Sequence, residues 1–118
     1  TTLICIKKDF LKKNGYKDFQ DWDSDSNHVY IGRKSHYVKG TVKSKWHNPF
    51  PVKKYGRDEC LSLYKDYILT NKKLLDEIKE LEGKELGCWC DVPKEKCHGN
   101  ILIDILNSYE NKATVPIH

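Results

Sequence analysis

Three short apolar runs, separated by segments with helical periodicity, constrain the fold of this chain more than any other feature. The runs cover residues 3–6, 29–31 and 85–90, and each is long enough for one strand. Strands that alternate with helices favour layered α/β architecture. We therefore expect a single small layered α/β domain, with a short, partly parallel sheet flanked by helices.

Helical spacing of apolar residues predicts the segments between and after these strands. The predicted helices cover residues 9–22 (broken at Asn14-Gly15), 58–70, 72–82 and 98–109. Cys60 lies on the apolar face of the second of them, so its thiol is expected to be buried and inert. No domain boundary is visible. We expect residues 1–118 to form one domain, with a folded core over residues 1–110 and a tail over 111–118.

The cysteine count bears on the compartment of the protein. Five cysteines is an odd number, whereas secreted disulfide frameworks normally use an even set. No apolar run approaches the roughly 18 residues that a membrane-spanning helix needs, and no apolar leader follows the N-terminus. These features predict an intracellular, cytoplasmic protein without a membrane partner.

The positive charge of the chain is concentrated in one segment. Residues 26–57 contain no Asp or Glu and eight Lys or Arg, whereas the other residues carry 13 basic and 17 acidic side chains. Aromatic residues are interleaved with the basic ones. Basic groups neutralise phosphates and planar rings stack on bases. The segment therefore favours a phosphate-bearing ligand, against the alternative of a solvated surface with a few core aromatics.

Two arginines stand out within this segment. The chain has 19 Lys but only Arg33 and Arg57, and each arginine directly follows a glycine. A guanidinium offers a planar fork for bidentate contacts with phosphate or carboxylate, which an ammonium group does not. Arg33 and Arg57 are therefore candidate phosphate ligands, and structural ion pairs are the alternative. The Lys- and Asn-rich composition is typical of an AT-rich genome, such as that of a large DNA virus, a phage or a bacterium.

Residues 86–100 form a cysteine-rich motif with a strand–loop–helix pattern, and three interpretations of it remain open. It could be a zinc site whose ligands are Cys88, Cys90, Cys97 and His98. Alternatively, Cys97 at the helix start is a nucleophilic thiolate, with His98 or His47 as its acid/base. In the third interpretation the cysteines pack as small apolar residues and His98 caps the helix or contacts a phosphate.

These residues carry a resemblance to a known family. The blocks that carry it are residues 29–33, 44–50, 56–57, 86–90 and 97–99. In order and spacing they resemble the domain-of-unknown-function 4326 family, over roughly residues 3–109. The chain departs from the family pattern at His47, where Gly is usual, in a longer connection over residues 9–27, and in an apparent insertion over residues 37–43. The resemblance implies a fold and no reaction. A few Cys and His residues also resemble the domain-of-unknown-function 488 family, which suggests handling of nucleotides or nucleic acid.

The leading hypothesis is that the loops at the sheet edge bind a nucleotide or nucleic acid. In it, Arg33 and Arg57 clamp phosphate, Lys45 adds charge, and Trp46 or Trp89 stacks on a base. The full candidate binding set is Tyr30, Gly32, Arg33, Lys45, Trp46, His47, Asn48, Arg57 and Trp89.

Two further functions stay open. One is an enzyme on a nucleotide or modified base, with Cys97 and His98 as catalytic residues. The other is a structural viral component that packs against nucleic acid and carries a Cys/His zinc site. His28, His36 and His118 are expected to be surface or tail residues without a role.

Overall fold

A parallel sheet forms the centre of the molecule. The computed structural model describes residues 1–90 and 96–114, with residues 109–114 described through the backbone alone. Its helices and strands are, in chain order, β1 (Thr2–Cys5), α1 (Lys8–Lys13), α2 (Phe19–Asp23), β2 (His28–Tyr30), α3 (Val52–Tyr55), α4 (Arg57–Thr70), α5 (Lys72–Glu77), a 3₁₀ helix (Ile78–Leu81), β3 (Glu85–Cys88) and α6 (His98–Thr114). The strand order is β1-β3-β2, and both pairings are parallel. The expected α/β class is confirmed.

The side chains of the strands pack into two apolar clusters, one on each face of the sheet. Leu86 and Cys88 of β3 belong to the larger cluster, which includes buried residues of α4, α5, the 3₁₀ helix and α6. Tyr30 of β2 belongs to the smaller cluster, with Leu11 of α1 and Trp22 of α2. Because neighbouring residues of a strand point to opposite faces of the sheet, helices cover both faces. The sheet is therefore the middle layer.

Two short helices fill the connection between β1 and β2. The predicted break is confirmed, because α1 ends at Lys13 and Gly15 has a φ of +93°, in the left-handed region that favours glycine. The Asp18 side chain caps α2 by accepting a hydrogen bond from the Asp21 amide at 2.9 Å. This pair of helices places the indole of Trp22 under the sheet, where it is fully buried.

His28 is an exception to the expected surface histidines. Its side chain is 7% exposed, and its ring stacks on that of Trp22 with centroids 4.7 Å apart. Its Nε2 lies 2.9 Å from a Glu85 carboxylate oxygen, at the start of the neighbouring strand. The expectation was wrong because β2 begins at residue 28, one residue before the predicted strand, and the His28 side chain packs between Trp22 and Glu85. His36 is exposed, as expected, and His118 lies outside the described residues.

The segment between β2 and α3 is ordered without regular structure, which fits its lack of a helix or strand period and its prolines, Pro49 and Pro51. Within this segment, Thr41 is buried. Its hydroxyl accepts a hydrogen bond from the Ser35 amide at 2.9 Å and lies 3.1 Å from the carbonyl oxygens of Ser35 and Val38. Beyond this segment, Gly56 has a φ of +79° and separates α3 from α4. The Thr41 hydroxyl thus satisfies backbone groups that no strand ladder pairs in this part of the segment.

The later helices follow the predicted pattern with two differences. The predicted helix over residues 72–82 is divided into α5 and a 3₁₀ helix, with the Asn71 side chain capping α5 through the Leu74 amide at 3.2 Å. Helix α6 runs to Thr114, so the first residues of the expected tail are helical, and residues 115–118 lie outside the described part. Within the described residues, no helix combines the length and apolarity needed to cross a membrane.

Candidate functional site

A cleft of about 340 Å³ lies beyond the carboxyl ends of β2 and β3. Its lining residues are Gly32, Arg33, Asn48, Phe50, Pro51, Val52, Lys53, Arg57, Cys60, Leu61, Trp89, Cys90 and His98. Open parallel sheets commonly bind ligands at this edge. The cleft therefore coincides with the position that the strand–loop–helix pattern predicts.

The cleft is positively charged. Arg33, Lys53 and Arg57 line it, and no Asp or Glu is found among its described lining residues. Helix α4 begins at Arg57 and helix α6 begins at His98, so the N-termini of two long helices border it. The unpaired amides and dipole of a helix N-terminus favour anions. Both the side chains and the helices thus make the cleft suitable for an anion.

The Arg33 guanidinium anchors one wall of the cleft. Its Nε and Nη2 donate hydrogen bonds to the Asn48 carbonyl oxygen at 3.2 and 2.5 Å. The Asn48 side chain in turn donates to the Cys60 sulfur at 3.0 Å and accepts from the Phe50 amide at 2.9 Å. Cys60 is buried, as predicted. Asn48 therefore shapes the loop, and Arg33 is oriented by it.

Trp89 lines another part of the cleft and is held there by Tyr30, which belongs to the smaller apolar cluster and does not line the cleft itself. The Trp89 indole Nε1 donates to the Tyr30 hydroxyl at 2.7 Å, and this hydroxyl donates to the Arg33 carbonyl oxygen. A Cβ at Gly32 would lie 2.5 Å from that hydroxyl, so the close approach requires glycine. Burial raises the pKa of Tyr30, which keeps its hydroxyl protonated and able to donate. Trp89 is thereby held with its ring at the cleft.

The cysteine motif brings three sulfurs together. The Sγ atoms of Cys88, Cys90 and Cys97 all lie within 4.8 Å of one another, and those of Cys88 and Cys97 are 3.4 Å apart. Cys88 and Cys97 are buried, whereas Cys90 is half-buried and lines the cleft. The structure thus groups the three cysteines of the predicted zinc set.

The three thiols differ in acidity. Hydrogen bonds from Cys88 and Cys97, reinforced by the Arg57 guanidinium 3.7 Å from the sulfur, hold the pKa of Cys90 below its ordinary range. For Cys97, the lowering contact with Cys88 is outweighed by Cys90 and by burial, which raise the pKa to about 11. Of the three thiols, Cys90 is therefore the one whose thiolate form is favoured, beside Arg57.

His98 lies beside this cluster but is turned away from it. Its Nε2 donates to the Ile31 carbonyl oxygen at 2.6 Å, and its ring packs edge-on against Tyr64. Burial lowers the pKa of His98, so the imidazole is neutral. His98 is not part of the three-sulfur group, although it lines the cleft.

Besides Tyr30, three more candidate binding residues do not line the cleft. Lys45 forms ion pairs with Glu77 and Glu80, the latter at 2.6 Å. Trp46 is 1% exposed and belongs to the larger apolar cluster, so its ring is not available for stacking on a ligand. His47 borders a separate hollow between the irregular segment and α5.

Lys53 is a cleft residue that the sequence reasoning did not single out. It is exposed on α3, a four-residue helix that was expected to be irregular loop. Lys53 belongs to the acid-free segment, but nothing in the sequence distinguishes it from its neighbour Lys54. Pro51, a residue favoured next to a helix start, could have indicated helix α3 itself, on which both lysines lie.

Comparisons with known proteins agree with this reading of the motifs. The family profile described as a domain of unknown function (DUF4326) matches residues 15–108. An uncharacterized protein of Acanthamoeba polyphaga mimivirus is 40% identical over 108 residues, which cover 85% of this chain and 78% of the viral protein. No solved structure matches the chain. The matched span includes all the described residues that line the cleft and the three clustered cysteines, and the chain belongs to the DUF4326 family.

Proposed function

We propose that the cleft binds the phosphate group of a nucleotide, either free or as one unit of a nucleic acid. The observation that carries this proposal is a concave site lined by Arg33, Lys53 and Arg57 without a carboxylate among its described lining residues. Its volume of about 340 Å³ lies at the lower end of the range for small-molecule sites. This size suits one nucleotide unit.

The contacts of the two arginines support a phosphate site at different depths. Arg33 is exposed, and its Nε and Nη2 already donate to the Asn48 carbonyl oxygen, so a phosphate would meet the Nη1 side of the guanidinium. Arg57 is half-buried at the start of α4, where its charge adds to that of the helix N-terminus. A phosphate between them would receive charge-assisted hydrogen bonds.

Trp89 supports a nucleotide in preference to phosphate alone. Its indole nitrogen is engaged by Tyr30, and the ring is half-buried on the cleft wall. Stacking of one base on an aromatic side chain contributes about 1–3 kcal/mol to binding. The fixed orientation of Trp89 lowers the entropy cost of such stacking.

The proposal is tested by titrating the purified protein with adenosine monophosphate, inorganic phosphate and a single-stranded oligonucleotide, using calorimetry. Lys53→Ala removes one cleft cation, and Lys54→Ala removes the neighbouring cation of the same helix that does not line the cleft. We expect K53A to weaken nucleotide binding about 10-fold or more, as for a lost charged hydrogen bond. K54A should bind as the wild type does.

Arg33→Ala and Trp89→Leu extend the same series. R33A should weaken all three ligands, whereas W89L should weaken the nucleotide and the oligonucleotide but not inorganic phosphate. A steep loss of affinity with salt for the oligonucleotide alone would identify nucleic acid as the source of the phosphate. Equal affinities for wild type, R33A and K53A would refute the proposal.

A second candidate function is a cysteine-dependent enzyme on the same ligand class. The observation that favours it is the position of Cys90, which is half-buried on the cleft wall with Arg57 3.7 Å from its sulfur. The nucleophile would be Cys90 in place of Cys97, whose side chain is fully buried. Iodoacetamide should then modify Cys90 much faster than Cys60, and equal rates would remove this candidate.

A further inference from the structure

The three clustered sulfurs come from two segments that meet at the end of β3. Cys88 is the last residue of β3, Cys90 follows two residues later, and Cys97 directly precedes α6. The other two cysteines, Cys5 and Cys60, are not part of the cluster. The strand–loop–helix geometry therefore brings the three sulfurs together, and the other cysteines of the chain take no part in the cluster.

The spacing of the sulfurs fits a metal ion. Zn–S bonds of about 2.3 Å at tetrahedral angles place neighbouring sulfurs about 3.8 Å apart. The sulfurs of Cys88 and Cys97 are 3.4 Å apart, and each of the three lies within 4.8 Å of the others. We propose that Cys88, Cys90 and Cys97 bind one thiophilic divalent metal ion, of which Zn²⁺ is the representative, through three thiolates.

The surroundings of the sulfurs match the needs of such a site. The Gly99 amide lies 3.3 Å from the Cys97 sulfur and donates to it, and the Arg57 guanidinium donates to Cys90. Three thiolates and a divalent ion carry a net charge of −1, which the Arg57 charge compensates. Hydrogen bonds of this kind orient metal ligands and stabilise their charged form.

Among the described residues, none supplies a fourth ligand, and the site borders the cleft. His98 does not fill the fourth coordination position, because its Nε2 is committed to the Ile31 carbonyl oxygen and the ring lies outside the sulfur group. Of the three ligands only Cys90 lines the cleft, so an added ligand atom reaches the ion from that side. Metal sites with three protein ligands leave their fourth position to water or a bound molecule. The identity of this fourth ligand, an oxygen of the bound nucleotide, rests on the proposed function, whereas the three-thiolate site does not.

The test is a titration of the reduced protein with Co²⁺, which takes the place of Zn²⁺ and absorbs light. We expect one equivalent to bind with a thiolate-to-metal charge-transfer band, and Zn²⁺ to remove the band. Cys88→Ser and Cys97→Ser should abolish it. Cys60→Ser, at a buried thiol outside the cluster, is the matched control and should keep it. Arg57→Lys should weaken metal binding less than Arg57→Ala, which should weaken it about 10- to 100-fold.

A second readout does not depend on whether the variants fold. In the wild-type protein, Zn²⁺ should protect the three cluster cysteines from alkylation, as measured residue by residue by mass spectrometry. Absence of a charge-transfer band together with unprotected Cys90 would overturn the site. Metal binding by a protein that takes up no nucleotide would support the site and refute the proposed function. Nucleotide binding by a protein that takes up no metal would support the proposed function and refute the metal site.

Discussion

At the scale of single residues, Gly87 lies where the sheet has no room for a side chain. A Cβ there would be 2.4 Å from Cη2 of Trp22 and 2.8 Å from Cγ2 of Ile6, and both of these side chains are buried. Gly87→Ala should therefore destabilise the protein by about 1–3 kcal/mol, the usual cost of overpacking a core. The measurement is the free energy of unfolding in urea.

A double-mutant cycle identifies the cause of this loss. Trp22→Phe removes the outer ring atoms that the added methyl group would meet, so Gly87→Ala should cost less in the Trp22→Phe background than in the wild type. The contact with Ile6 would keep some of the cost. The same cost in both backgrounds would show that crowding against Trp22 is not its source.

The candidate site was only partly predictable from single residues. The positions of Arg33, Arg57 and Trp89 at the cleft were predicted, because each lies within three residues of a strand end or opens a helix and so has a defined location at the sheet edge. The buried position of Trp46 was not predicted, because Trp46 lies in an irregular segment, which has no period that shows which side chains face inward. Of the three clustered cysteines, Cys90 and not Cys97 lines the cleft, because the Cys97 side chain is buried ahead of α6.

At the scale of elements, Lys45 ties the irregular segment to α5 and the 3₁₀ helix through Glu77 and Glu80. The hydrogen bond from Lys45 holds the pKa of the Glu77 carboxyl below its ordinary value of 4.5. A carboxyl with a lowered folded-state pKa stabilises the fold above its ordinary pKa, and this contribution is lost as the pH falls through the folded-state value. Lys45→Ala removes that contribution.

Lys45→Ala should therefore lower the urea midpoint at about pH 7, and its difference from the wild type should shrink between about pH 5 and pH 3. Lys72→Ala, which removes an exposed cation at the start of α5, is the matched control and should change the midpoint little at any pH. A difference for Lys45→Ala that stays constant with pH would contradict the assigned pairing.

The element order was predictable because the strands and long helices have periods that a sequence displays. The apolar run at residues 29–31 indicated β2, and the spacing from Asp58 onward indicated α4. The strand order was not predictable in this way, since pairing depends on contacts between distant residues. The buried position of His28 follows from that order, because Glu85 comes to lie beside it only when β2 pairs with β3.

At the scale of the whole molecule, β3 connects two apolar clusters on opposite faces of one sheet. If β3 leaves the sheet, both apolar clusters become exposed. We therefore expect a single cooperative unfolding transition. Far-UV circular dichroism, which reports mainly on the helices, and tryptophan fluorescence, to which Trp22 and Trp46 contribute from different clusters, should give the same urea midpoint. Two separate midpoints would show that the faces unfold independently.

The central position of β3 also sets the timing of folding during synthesis. The edge strands β1 and β2 are made first and the strand between them last. The hydrogen bond from Thr1 to the Leu81 carbonyl oxygen, next to this sheet, joins residues 80 positions apart. At about 5–20 residues per second, a ribosome needs about 4–16 seconds to cover that separation. Throughout that interval β1 and β2 have no partner strand. The nascent chain therefore stays without its sheet, and exposed to chaperones and proteases, until residue 88 has left the ribosome.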